Sequence, residues 1–571
     1  MTNSVFSTEG EVNIMAGLNA QQQKAVNLND DKILCLAGAG TGKTFCMISR
    51  ISRIVDEGVD PSNILVLTFT HAAAFEMKER YQKTHVNERL PEFRTFHSFC
   101  YSLIASDINV RTKLGYFKIP TVADQGAMKR LKTSARMQSG VKLSERHLKK
   151  QLALTPAQKS QVEIYNKTLY RLLRQENIIT FDMLCYKVCK LFVEDDECIQ
   201  QYKQKYQYIF VDEFQDTDSR QYEFIKSFQN SKLFVVGDAL QAIYSFRGAD
   251  SSIIKKLSDD DGWTTVKLFQ NYRSTKQICN YANNMSTYAE NSYRIAIDTD
   301  VKGQPVNVFN VKNYDKYCDD AVHPTILSRI VDSMKTTSGT SAILCRTNKE
   351  VTCVIDYLCD HDIPYFTGKK NTDNVHILKG VADNDYLVDW LATYLNADNY
   401  ATYIRMVAIT EDKTPLEIFV NLFGGLKSIQ PKLDKVFSIR RIFKRDGLRV
   451  QKCIDILSEL GISIKGVELN VDATTVSEVV DYLINVINLD KSSEIYVGTI
   501  HSAKGLEYDN VYLVGVNGNS FRLTNEDNKN LYYVGITRAK SNLYVFYTND
   551  SDDDVCDYLN DEEFHTGPED D

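Results

Sequence analysis

The apolar run Ile33-Leu34-Cys35-Leu36 leads straight into Ala37-Gly38-Ala39-Gly40-Thr41-Gly42-Lys43-Thr44. Such a run, ending at a glycine-rich turn, reads as a buried strand, and the Gly-Lys-Thr ending opens a helix. This strand–loop–helix unit constrains the fold more than any other stretch of the chain. Backbone N–H groups of the loop, at a helix N-terminus, cradle the phosphates of a nucleoside triphosphate. Lys43 then reaches the β- and γ-phosphates, and the Thr44 hydroxyl holds Mg²⁺. The first position of the usual pattern is Ala37 where glycine is commoner.

A second apolar run, Tyr208-Ile209-Phe210-Val211, ends in Asp212-Glu213. It has the form of a buried parallel strand with its site at the C-terminal end. Asp212 is placed to hold Mg²⁺ through water, as the strand-end Asp of P-loop NTPases does. Glu213, one step on, can accept a proton from the attacking water. Paired acids at a strand end also occur as a solvated rim, but a phosphate loop in the same chain favours hydrolysis.

Strand-like runs at Ile33–Leu36, Ile64–Thr68, Tyr208–Val211, Leu233–Val236, Ala342–Cys345 and Val511–Val514 alternate with helical patterns. The fold class expected is α/β with mostly parallel sheets. The 571 residues leave room for about three or four domains.

Asp212-Glu213-Phe214-Gln215-Asp216-Thr217 resembles motif II of the superfamily 1A DNA helicases of the UvrD/Rep/PcrA type. The resemblance continues in order along nearly the whole chain. Leu18-Asn19-Ala20-Gln21-Gln22-Gln23 is similar to the Q motif; Leu67-Thr68-Phe69-Thr70-His71-Ala72-Ala73-Ala74 and Thr95-Phe96-His97-Ser98 are similar to motifs Ia and Ib. Val236-Gly237-Asp238-Ala239-Leu240-Gln241-Ala242-Ile243-Tyr244-Ser245-Phe246-Arg247-Gly248-Ala249 resembles motif III, and Gln270-Asn271-Tyr272-Arg273-Ser274 resembles motif IV. Thr499-Ile500-His501-Ser502-Ala503-Lys504-Gly505-Leu506-Glu507 resembles motif V; Tyr533-Val534-Gly535-Ile536-Thr537-Arg538-Ala539-Lys540 resembles motif VI. The chain departs from the pattern at Phe45, at His71-Ala72, at Ala239-Leu240 and at Asn528-Lys529-Asn530, none of which removes a catalytic group.

The resemblance implies two RecA-like P-loop NTPase domains, each interrupted by a mainly helical insertion. The first motor would span 1–94 and 203–267 around a basic insertion at 95–202. The second would span 268–372 and 491–549 around a shortened accessory insertion at 373–490. ATP and Mg²⁺ would lie between the motors, on the loop Ala37, Gly38, Ala39, Gly40, Thr41, Gly42, Lys43 and Thr44. Gln22 would read the adenine edge, Tyr272 would stack on the base, and Glu507 would accept from a ribose hydroxyl. Gln241 would sense the γ-phosphate, and Arg273 and Arg538 would act as arginine fingers, an effect worth roughly 10³–10⁵ in rate. Single-stranded DNA would run over Phe69, Thr70, His97, Tyr244, Phe246 and Arg247, with stacking worth roughly 1–3 kcal/mol per base. The implied activity is ATP-dependent 3′-to-5′ movement on single-stranded DNA with unwinding at single/double-strand junctions. A translocase that remodels protein–DNA complexes without unwinding would carry the same motifs, and a nucleotide-gated scaffold is the non-enzyme alternative.

Net charge at first opposes DNA binding, with 67 Lys and Arg against 75 Asp and Glu. But residues 541–571 hold eleven of those acids and no Lys or Arg, so residues 1–540 carry +3. Local patches therefore decide binding. Two basic runs stand out: Lys129, Arg130, Lys132, Arg136, Lys142, Arg146, Lys149 and Lys150, then Lys432, Lys435, Arg440, Arg441, Lys444, Arg445 and Arg449. Either could track phosphates or be a solvated face. The acidic tail at 550–571 reads as disordered, a solubilising segment or a docking peptide for a replication or repair protein. The thirteen cysteines contain no Cys-x-x-Cys pair, so zinc and iron–sulfur sites are not expected and the thiols read as buried small hydrophobes. No apolar run reaches the ~18 residues of a membrane span, which points to a cytoplasmic, DNA-associated protein.

Overall fold

The computed structural model describes residues 17–85, 89–123, 125–143, 154–287, 293–310, 322, 324–361, 363–367, 372–394, 404–408, 413–423, 429–443, 480, 495–516, 521 and 526–547. The acidic tail, much of the second insertion and parts of both basic runs (144–150 and 444–450) lie outside them. The chain divides into two compact units. One comprises Met1–Thr95, Gln201–Lys370 and Leu489–Asp571; the other comprises Phe96–Gln200 and Asn371–Asn488.

The strands in chain order are β1 (Lys32–Ala37), β2 (Ile64–Thr68), β3 (Glu92–Thr95), β4 (Thr121–Val122), β5 (Ile178–Ile179), β6 (Tyr208–Val211) and β7 (Lys232–Gly237). They continue as β8 (Thr264–Leu268), β9 (Asn307–Asn310), β10 (Ser341–Cys345), β11 (Phe366–Thr367), β12 (Ile495–Thr499), β13 (Tyr508–Val516) and β14 (Ala539–Tyr547). Among the described residues the first unit holds two six-stranded sheets, ordered β3-β2-β6-β7-β1-β8 and β11-β12-β10-β13-β14-β9. Every pairing within them is parallel.

The sequence explains this directly. All of β2 and β10, and all of β1 beyond Lys32, is buried, which a parallel sheet covered on both faces requires. Cys35 sits in register between Val236 of β7 and Val266 of β8, so β1 is an inner strand. Ala25, Met47, Ile51, Met77 and Phe234 help close the core around the first sheet. Arg50, only 2% exposed, lies over the Phe234 ring and donates to Ala25 O and Val26 O near the end of helix Ala20–Asn27. It thereby satisfies carbonyls that a helix end leaves open.

The two sheets also share a core: Ala39, Leu240 and Ile243 from loops of the first pack in one cluster with Ile500, Tyr533 and Ile536 of the second. Within each six-stranded sheet the parallel strands present their C-terminal ends on one edge, where open α/β sheets carry their ligands.

In the second unit the described residues are mainly helical. Phe96–Ser106, Gln125–Ser139, Pro156–Gln175 and Phe181–Val193 precede Thr372–Ala382, Asn384–Tyr394, Pro415–Phe423 and Gln430–Phe443. The short parallel pair β4–β5 joins the first group. Among the described residues no helix is long and apolar enough to cross a membrane.

Candidate active site

The loop after β1 turns twice through left-handed backbone, at Gly40 (φ +69°) and Gly42 (φ +79°). A side chain at Gly40 would also run into Asn271 and Arg273. Glycine is therefore required here both by conformation and by close approach. Gly42 caps the helix Lys43–Asp56, so the loop's N–H groups converge at a helix N-terminus. Thr41 is buried with its hydroxyl donating to Gly38 O, and Thr44 is half-buried on the first turn. Lys43 Nζ is buried and has no hydrogen-bond partner; its closest charge is Glu213 Oε2 at 3.9 Å.

Asp212 and Glu213 follow β6, and one oxygen of Asp212 is likewise buried without a hydrogen-bond partner. Burial, then the neighbouring Glu213, pushes the Asp212 carboxyl up. Burial acts in the same direction on Glu213, but Lys43 and Lys504 outweigh it and hold that carboxyl low. Glu213 adopts φ 50°, ψ 43°, a left-handed conformation costing a non-glycine residue roughly 1–3 kcal/mol. Such strain persists where surrounding structure fixes it, and here Gln215 Nε2 donates to Glu213 Oε2. An ammonium and a carboxylate oxygen, both buried and unbonded beside a phosphate-loop geometry, fit a Mg²⁺–triphosphate group.

Gln215 extends the arrangement to β7. Its Oε1 accepts from Asp238 N, and Asp238 Oδ2 in turn accepts from Gln241 Nε2 at 2.7 Å. From the second sheet, Lys504 donates to Asp216 Oδ2 (2.5 Å) and Gln241 O (2.9 Å). Asn271 donates to Ala39 O and accepts from the backbone N–H of Arg273 and of Ser274. Arg273 donates to Glu507 Oε2 (2.7 Å) and Thr537 O (3.1 Å). Arg538, 1% exposed, donates to Val534 O, Leu506 O and Thr537 Oγ1. Burial, then Arg273, lowers its pKa to about 9.

The remaining nucleotide candidates are bonded to protein. Gln22 and Asn19 form a reciprocal capping box, and Gln22 Nε2 donates to Thr41 O of the loop. Tyr272 is 54% exposed, with its hydroxyl accepting from Asn19 Nδ2. Glu507 pairs with Arg273 and Lys540, which hold its carboxyl below the usual range against the effect of burial.

A row of aromatics lies at the ends of β2, β7 and β12. Phe69 and Tyr244 stack at 5.6 Å, Phe246 meets Tyr244 and His501 edge-on, and Lys504 Nζ sits 5.0 Å from the Tyr244 ring centroid. Phe246 is 68% exposed. Thr70 caps helix His71–Thr84 through its hydroxyl. The Arg247 side chain lies outside the described residues. His97 belongs to the second unit, edge-on to Phe181.

Site residues from both sheets thus meet around Lys43 and Glu213. Sequence reading assigned no role to Gln215, Asp216, Asp238, Asn271 or Lys504, although all five lie inside the motifs quoted above. Their signal was position within a motif; their partners are distant in sequence. Within the basic runs, Arg130 is bidentate on Glu176, Arg136 donates to Leu143 O, and Arg440 donates to Val381 O, Gly380 O and Asn384 Oδ1. Arg440 is therefore a structural cation. Lys129, Lys132 and Lys142 remain exposed.

Paired parallel sheets with phosphate-loop geometry at one C-terminal edge define a P-loop NTPase built on two RecA-like folds. Residues 18–261 match the UvrD/REP helicase N-terminal domain, and residues 266–372 with 440–550 match the UvrD-like helicase C-terminal domain. The chain is 27% identical to the ATP-dependent DNA helicase PcrA of Bacillus subtilis, over 93% of its own length and 83% of the relative's. It is 28% identical to a probable DNA helicase II homolog of Mycoplasma capricolum, over 94% and 85%. The chain belongs to the UvrD/Rep/PcrA-type helicase family.

Proposed function

We propose that this protein is an ATP-hydrolysing DNA helicase that moves 3′ to 5′ on single-stranded DNA and separates duplex at junctions. The observation carrying the reading is the unbonded Lys43 ammonium, buried beside Glu213, on whose carboxylate Lys504 and Arg538 of the second sheet also act. Residues 1–94 with 203–267 and 268–372 with 491–549 are read as the two motors.

In the reaction, ATP is the substrate. Lys43 draws the β- and γ-phosphates onto the loop, and Tyr272 stacks on the base. Thr44 and Asp212 are the residues that would hold Mg²⁺, which supplies charge neutralisation on the phosphates. Glu213, kept ionised by Lys43 and Lys504, accepts the proton of the attacking water. Arg273 exchanges its bond with Glu507 for the γ-phosphate, freeing Glu507 for the ribose, while Arg538 adds positive charge from its buried seat. Gln241, joined to Glu213 through Asp238 and Gln215, reports the γ-phosphate to the aromatic row that follows it. Bases stacking on Phe69, Tyr244 and Phe246 account for tolerance of any sequence.

The test is ATP-driven unwinding of duplexes carrying a 3′ or a 5′ single-stranded tail, with Lys43→Ala as control. Unwinding from the 3′ tail alone supports the reading. Strand-stimulated hydrolysis without separation of either duplex would make the protein a translocase, and unwinding from the 5′ tail would reverse the polarity.

A further inference from the structure

Helices Phe96–Ser106 and Phe181–Val193 pack together in the second unit, and their seam gathers three cysteines. Cys100 Sγ lies 3.8 Å from Cys185 Sγ, and the Sγ atoms of Cys100, Cys185 and Cys189 all fall within 4.8 Å of one another. All three are buried, at 1%, 9% and 3% exposure. Cys185 and Cys189 stand one helical turn apart on one face. Cys100 reaches them from 85 residues away.

The spacing has a chemical meaning. Thiolates bound at about 2.3 Å to one cation sit about 3.8–4.0 Å from each other in tetrahedral or trigonal geometry. The Cys100–Cys185 separation already has that value, and closing the third side needs a shift of less than about 1 Å, within reach of a χ1 adjustment. An iron–sulfur cluster, with several irons between its cysteines, would hold the sulfurs much farther apart. Hard cations such as Mg²⁺ require oxygen donors. Soft sulfur ligands select Cu(I) and Zn²⁺. Apolar packing alone does not ask for this convergence: Phe99 and Phe192 and the buried Leu184 and Val188 fill the same helices with hydrocarbon.

We propose that Cys100, Cys185 and Cys189 form a binding site for one thiophilic d¹⁰ cation, Cu(I) or Zn²⁺, which ties the two helices together. On binding, three S–H bonds lose their protons to solvent and three metal–sulfur bonds form; no electron is transferred. Cu(I) is satisfied by three sulfurs. Zn²⁺ takes a fourth ligand from outside the three-cysteine group. Because the bond closes a long loop, its effect falls on the stability of this insertion.

The experiment uses the full-length reduced protein, stripped with chelator, then titrated separately with Zn²⁺ and with Cu(I) against a chromophoric competitor. One equivalent of either cation should be retained, with proton release and a higher melting temperature. Cys185→Ala/Cys189→Ala should lose it, while Cys353→Ala, a half-buried cysteine of the first unit, should keep it. Retention of Zn²⁺ but not Cu(I), or the reverse, identifies the metal. No retention of either, or equal retention by the double variant, overturns the site. Should the double variant not fold, alkylation of the wild-type protein in mild denaturant decides. The cation must slow labelling of Cys100, Cys185 and Cys189 alone, and unchanged labelling of all three also overturns the site.

Discussion

Lys504 and Asp216, 288 positions apart, form a buried ion pair at 2.5 Å that joins the loop after β12 to the loop after β6. Asp216 is 2% exposed and the Lys504 side chain 8%. Removing one partner of such a pair leaves a buried charge uncompensated, at about 3–5 kcal/mol. Lys504→Met is expected to lower the melting temperature accordingly, and Asp216→Asn added to it should recover part of the loss. A double variant no more stable than the single one would show that the pair is not coupled. Lys504→Met should also depress strand-stimulated ATP hydrolysis, because the same ammonium helps hold Glu213 ionised.

Lys43→Ala and Glu213→Gln should each abolish turnover while leaving binding of a single-stranded oligonucleotide largely intact. The Glu213 variant keeps the side-chain shape and loses the proton acceptor, a change of roughly 10²–10⁴ in rate. Steady-state ATP hydrolysis with and without oligonucleotide, beside fluorescence anisotropy for binding, separates the two effects. Wild-type turnover in either variant would remove the catalytic assignment.

Phe246 offers a cleaner test of the strand path because it is exposed and carries little of the core. Phe246→Ala should weaken single-stranded DNA binding by about 1–3 kcal/mol and raise the DNA concentration needed to stimulate hydrolysis. Its melting temperature and basal hydrolysis should match wild type. Loss of basal activity as well would mean that the ring supports the fold rather than a base.

Much of this was legible in sequence because some positions tolerate few residues. The turn Gly40–Gly42 needs left-handed backbone, and the strand-end acids must follow a fully apolar run, so both advertise themselves. Six inner strands, β1, β2, β6, β7, β10 and β13, read as apolar runs for the same reason. The inner strands β12 (Ile-Tyr-Val-Gly-Thr) and β14, which opens Ala-Lys-Ser-Asn, did not, because polar and glycine positions interrupt them. Edge strands did not: β3 is Glu-Phe-Arg-Thr, with three of its four positions only half-buried, and it pairs because β2 presents an open side. Bridges between the sheets were illegible in a different way. Nothing near Asn271 in the chain says that its amide will meet Ala39, and nothing near Arg440 says that it will meet the carbonyls of Gly380 and Val381. The cysteine seam was hidden for the same reason, since its spacing matches no sequence pattern for a metal.

Asn271 gives the last test, of how Arg273 is aimed. Its side chain takes three hydrogen bonds: one to Ala39 O in the phosphate loop, two from the backbone around Arg273. The residue is 2% exposed, so Asn271→Ala leaves those buried groups unpaired at roughly 1–3 kcal/mol each, although relaxation will recover part of it. The larger consequence is positional. The loop and the Arg273 turn lose their common anchor, and a small misplacement of the charge proposed to act on the transferring phosphoryl costs rate steeply. The variant should therefore show a kcat for ATP lowered about 10²-fold, with a smaller change in KM, because the nucleotide contacts proposed for Lys43 and Tyr272 are left untouched. Asn271→Asp should keep the two bonds accepted from Arg273 and Ser274 while losing the donor to Ala39, and should fall between the two. If kcat is unchanged in Asn271→Ala while the melting temperature drops, the residue braces the fold and Arg273 is aimed by Glu507 and Thr537 alone.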